Sequence, residues 1–152
     1  MARVLIVGCG CRGQALAREL IAAGHAVRGT TRDPAKADAI AATGAEPYVG
    51  DPDRIATLME ALAGTTIVCW LLASAAGENA ELHGGRLRML FEKIVDTPVR
   101  GVVYEPAGEG AAIARAAQAT WQIPLEVLTL DPTDDVAWLA GAHAAVGRLL
   151  TA

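Results

Sequence analysis

Lysine and aromatic side chains are scarce in this chain of 152 residues, which holds two lysines (Lys36 and Lys93), one phenylalanine, two tyrosines and three tryptophans. The 13 basic and 17 acidic residues give a formal net charge of −4 and are scattered, so no basic block can track a phosphate backbone. Nucleic acid is therefore not expected as a partner. Long apolar runs are also missing: the longest, Thr66 to Ala76, falls well short of the ~20 residues that cross a bilayer. Met1-Ala-Arg leads directly into a strand pattern, so neither a signal peptide nor a membrane span is expected. The three cysteines, Cys9, Cys11 and Cys69, form no Cys-x-x-Cys pair and stand at no metal-ligand spacing from the histidines. No disulfide framework or metal site is expected, and reduced thiols point to the cytoplasm.

Small aliphatic residues are abundant. Hydrophobic residues make up 53% of the chain and charged residues 20%, which excludes disorder. A chain of this length buries roughly 70% of its unfolded surface, enough for a core without disulfides or a structural metal. The pattern then alternates. Arg3 to Val7 is a β-branched run ending at glycines, Gln14 to Ala23 has helical spacing, and Ala26 to Thr30 is again strand-like. Asp33-Pro34 starts a second helix to about Thr43 by capping and by proline at the first helical position. Strands at Ala45 to Val49, Thr66 to Leu72, Val99 to Glu105 and Pro124 to Leu130 alternate with helices at Asp51 to Leu62, Glu81 to Asp96 and Glu109 to Trp121. Asp131-Pro132-Thr133 caps a last helix to about Leu150. Such alternation predicts an α/β fold, a three-layer doubly wound parallel sheet of about six strands in the order 3-2-1-4-5-6. Six βα units consume residues 1–152, so a single domain is expected.

Gly8-Cys9-Gly10-Cys11-Arg12-Gly13 reads G-x-G-x-x-G between the first strand and the first helix, the context in which that string binds a dinucleotide. Gly8 allows the tight turn, Gly10 lets backbone approach a pyrophosphate, and Gly13 lets the helix pack on the sheet. The helix N-terminus then offers free N–H groups and a positive dipole end, with Cys11 near it, and Arg12, one residue before the last glycine, is expected to add a phosphate contact. An NAD-binding unit carries an acidic residue about 20 residues later. Here the stretch reads Gly29-Thr30-Thr31-Arg32-Asp33. Two hydroxyls and a guanidinium suit a 2′-phosphate dianion, so NADP(H) is expected, with NAD(H) as the alternative if Asp33 holds the ribose instead.

These residues resemble the short-chain dehydrogenase/reductase superfamily, in its atypical and extended NAD(P)-dependent epimerase/dehydratase-like and NmrA-like branches. The resemblance rests on VLIVGCGCRG, on Gly24 to Arg32 and on Gly50-Asp51. It implies that Asp51 lies beside the adenine and that Leu72, Ala73 and Ser74, after the fourth strand, line the cofactor. It also implies a dimer through the helices after strands four and five. The Tyr-x-x-x-Lys pair of that superfamily is absent: Pro52 stands four residues after Tyr48, and Gly108 four after Tyr104. An oxidoreductase acting on a small carbonyl or sugar-like substrate would therefore need other groups. Tyr104 and Glu105 at the end of the fifth strand and Ser74 after the fourth are the candidates. The alternatives are a nucleotide-sensing module, as the NmrA-like resemblance implies, or an oligomeric scaffold. Trp121 and Trp138 are expected to be partly exposed at a dimer face.

Overall fold

The computed structural model describes residues 2–73, 80–131 and 133–151. Among these lie six strands: β1 (Arg3–Val7), β2 (Ala26–Thr31), β3 (Glu46–Val49), β4 (Ile67–Trp70), β5 (Gly101–Tyr104) and β6 (Leu125–Val127). All pair in parallel, in the order β3-β2-β1-β4-β5-β6. This is the doubly wound order that the alternation predicts.

Because successive side chains of a strand point to opposite faces, the central strands feed two cores. Val4, Ile6, Ile67 and Cys69 face helices α1 (Cys11–Ala22) and α6 (Asp135–Thr151), joined by Ile40 of the short α2 (Ala37–Ala41). Leu5, Val7, Val68 and Trp70 face α3 (Met59–Leu62), α4 (Gly85–Ile94) and α5 (Gly110–Trp121). The central strands are buried on both faces, which places polar function at their ends.

Helix starts depart from the sequence reading for identifiable reasons. Helix α1 begins at Cys11 rather than Gln14, since the Gly10 carbonyl accepts the first helical bond from Gln14 N–H at 2.8 Å. Asp51 caps a tight turn instead of a helix: its carboxylate accepts from Asp53 N–H and its carbonyl from Arg54 N–H. Helical structure resumes as a 3-10 turn at Ile55–Leu58 before α3. Gly84 separates a 3-10 turn at Ala80–His83 from α4, with backbone angles far from helical. Asp131 likewise caps a turn through Thr133, while Asp134 accepts from Ala137 N–H and caps α6.

Strand β3 is an edge and contains Pro47. Gly50 N–H donates to Thr31 O, so by alternation the backbone of Tyr48 and Gly50 faces β2 while that of Pro47 and Val49 faces outward. A proline there removes no ladder bond.

Candidate functional site

The carboxyl ends of β1, β2 and β4 meet at the glycine loop. Gly8 leaves β1 with φ of +86°, and a Cβ there would lie 2.6 Å from the Leu71 carbonyl oxygen, so only glycine fits. Gly13 packs α1 onto β1, where a Cβ would meet Gly8 O and Ile6 Cγ2 at 3.2 Å. At Gly10 the opposite holds: no atom stands within 4 Å of a Cβ position, so this backbone faces open space. Thr30 ties the loop to β2, its carbonyl accepting from Cys9 N–H at 3.1 Å and its hydroxyl from Gly8 N–H at 3.3 Å. Being buried, Thr30 acts on the loop's shape. The first-turn N–H groups of α1, at Cys11, Arg12 and Gly13, have no partner within their own helix and carry its positive dipole end.

On the β2 side of the loop lies a cleft of about 340 Å³ lined by Gly8, Gly10, Thr30, Thr31, Arg32, Lys36, Gly50, Pro52 and Leu72, among others. Arg32 and Lys36 are both exposed and bring two cations to a wall with no carboxylate among its described residues. The sequence reading had no role for Lys36. Its signal was the Asp33-Pro34 cap: Asp33 Oδ1 accepts from Ala35 N–H at 2.9 Å, fixing a 3-10 turn that returns Lys36 to the side of Arg32. That bond also takes one oxygen of the carboxylate considered for the ribose. Asp51 is not part of this wall, although its neighbours Gly50 and Pro52 are.

On the β5 side, cavities of about 130 and 520 Å³ continue along the same edge. The smaller shares Gly8 and Gly10 with the cleft and Arg12, Glu105 and Trp138 with the larger. Those last three form a knot. Buried Glu105 accepts from Ala73 N–H at 3.2 Å through Oε1 and from the Trp138 indole N–H at 2.8 Å through Oε2. Arg12 Nη2 lies 3.3 Å from the same Oε2, and the guanidinium stands over the Trp138 ring at 4.9 Å. Arg12 Nη1 is buried with no hydrogen-bond partner. Trp138, 2% exposed, is therefore core and not dimer face.

Tyr104 is fully buried and lines none of these three cavities. Its hydroxyl meets His83 Nδ1 and accepts from Ala107 N–H, while His83 Nε2 stands 3.2 Å from the Leu72 carbonyl, which can only accept. Nε2 is thus the protonated nitrogen, and Tyr104 donates to Nδ1. Burial pushes the Tyr104 hydroxyl pKa up. Burial also raises Cys9 to about 11 and Cys69 to about 12, leaving exposed Cys11 as the accessible thiol. Ser74 and Asn79 lie outside the described residues. Among the described residues no group of His, Cys, Asp and Glu could hold a metal ion, and no helix is long and apolar enough to cross a membrane.

A dinucleotide fits this edge: a glycine cradle whose middle residue faces open space, a helix start whose first amides have no partner within their own helix, and on one side two cations with no carboxylate among the described lining residues. Comparison with known proteins agrees. Residues 8–123 match the model of a family described as NAD(P)H-binding. The triphenylmethane reductase of Citrobacter sp., solved with NADP(H), is 19% identical with a TM-score of 0.68; the match covers 82% of this chain and 48% of that one. The NADPH-dependent quinone oxidoreductase of Escherichia coli is 21% identical with a TM-score of 0.63, covering 82% and 47%. A short-chain dehydrogenase/reductase superfamily protein of Agrobacterium tumefaciens with bound NAD is 26% identical with a TM-score of 0.56, covering 70% and 33%. This chain thus spans half or less of the length of each of these three. No curated protein matches it.

Proposed function

The chain belongs to the NAD(P)H-binding family, and from that premise we propose that it is an oxidoreductase domain that prefers NADP(H) over NAD(H). The observation that carries the preference is the β2-side cleft, where Arg32 and Lys36 stand with no carboxylate among the described lining residues. NADP(H) differs from NAD(H) by a 2′-phosphate dianion, which two cations favour and which an acidic ribose clamp would repel. Gly8, Gly10 and Gly13 with the first-turn amides of Cys11 and Arg12 hold the pyrophosphate in this reading. Leu72 and Ala73 lie against the rest of the cofactor, and Asp51 holds the turn beside the adenine. When bound, the reduced cofactor supplies a hydride. Binding constants for NADPH and NADH should separate on Arg32→Ala: NADPH affinity falls and NADH affinity does not. Equal loss for both would overturn the preference.

One observation favours a second reading, a nucleotide sensor without turnover. Both tyrosine hydroxyls are committed, Tyr104 to His83 and Tyr48 to the Thr57 carbonyl. Steady oxidation of NADPH in the presence of small aldehydes, ketones or quinones requires the enzyme, and tight binding without oxidation requires the sensor. We further place the protein in the cytoplasm, in keeping with three free cysteines. We also propose a homodimer through α4 and α5, where Val95 and the half-buried Trp121 lie. A monomer mass by light scattering at micromolar concentration rejects that assembly.

A further inference from the structure

We propose that the 520 Å³ cavity at the ends of β5 and β6 takes an uncharged, apolar molecule bearing an acceptor oxygen, and that Glu105 determines this by cancelling the charge of Arg12. The inference names a substrate class for the reading above and rests on it. Among the described residues nine line the cavity; of these only Arg12 and Glu105 are charged, and they are paired at 3.3 Å. Much of the remaining described wall is Pro106, Leu128, Leu130 and Trp138, with Thr129 its only hydroxyl. An arginine lining a pocket ordinarily selects anions. Here the guanidinium is stacked on Trp138 and balanced by a carboxylate that is itself held by Ala73 N–H and the indole N–H. A carboxylate or phosphate entering the cavity would lose its water, meet Glu105 as a like charge and find the cation already neutralised. A carbonyl oxygen carries no such penalty and needs only a single N–H, such as Arg12 can offer where it lines the cavity.

Glu105 is thus a specificity-determining residue, and an isosteric change exposes its role. Benzamide and benzoate have nearly the same shape and differ in charge, so each is titrated into the full chain and followed by calorimetry. The native protein should bind benzamide about tenfold more tightly than benzoate. Glu105→Gln keeps the acceptor oxygen but leaves Arg12 unbalanced, so the ratio should invert by about tenfold in favour of benzoate, a factor matching one partly screened charge contact. The double variant Arg12→Gln with Glu105→Gln leaves neither charge and should return to benzamide, which keeps the test intact if the single variant fails to fold. Equal binding of both probes by the native protein, binding of neither, or an unchanged ratio in Glu105→Gln overturns the proposal. Thermal shift by NADPH in the same samples reports on the cleft separately. A shift with the wrong probe ratio overturns this inference alone, and no shift overturns the nucleotide reading.

Discussion

The two sides of the glycine loop use cations in opposite ways. On the β2 side, Arg32 and Lys36 stand exposed with no carboxylate among the described residues that line the cleft. On the β5 side, Arg12 is half-buried, stacked on an indole and paired to a buried carboxylate. In the readings proposed above, the unbalanced cations recognise a dianion, and the balanced one serves a neutral ligand while holding its surroundings in place. The same residue type marks charge recognition in one place and architecture in the other. The partner decides which.

Changes in the loop should disable both sides at once and produce the largest effect. Gly8→Val forces a β-branched residue to φ of +86° against Leu71 O and should destabilise the fold by roughly 2–4 kcal/mol, seen as a lower thermal midpoint. Affinity for every dinucleotide should fall with it. Next comes Arg32→Ala with Lys36→Ala, which should weaken NADPH binding about 100-fold and NADH binding hardly at all. Loss of the same size for both nucleotides would erase the distinction between the two sides. Trp138→Phe acts on the other side alone, removing the indole N–H that satisfies Glu105 Oε2. It should cost about 1–3 kcal/mol of stability in urea unfolding while the ratio of NADPH to NADH affinity stays as it was.

The last effect is confined to alkaline pH. Cys9 and Cys69 are raised from 9.0 to about 11 and 12 by burial. A native pKa above the unfolded one gives stability that is full below about pH 9 and declines as pH rises towards 11, because the unfolded chain releases protons the native state keeps. Urea midpoints between pH 8 and pH 11 should fall less steeply in a Cys9→Ala, Cys69→Ala variant.

Local pattern made the nucleotide side readable. The glycine string, the strand before it and Arg32 after β2 all act through neighbours in sequence, and the strand order followed from alternation alone. The β5 side was not readable for the same reason turned round. Arg12, Glu105 and Trp138 are far apart in the chain and meet only because β1 and β5 flank β4 and α6 crosses their face. From sequence, Glu105 reads as a candidate acid/base at a strand end and Trp138 as partly exposed at a dimer face, and nothing local marks either as buried. Lys36 lies between these cases: the Asp33-Pro34 cap was visible, but its consequence for the direction of the next side chains requires the 3-10 turn. Helix starts were misplaced where glycine or Asx turns replace the first turn, since an aspartate capping a turn looks the same as one capping a helix.

Pro47 has a consequence at high protein concentration. A parallel sheet ends in two open margins, and an unpaired margin is a template on which another chain can add a strand. At β3 the outward backbone positions are Pro47, which has no hydrogen to give, and Val49. An incoming strand would find one amide where it needs two. The proline that costs the native ladder nothing therefore guards that border against self-assembly into extended β-structure.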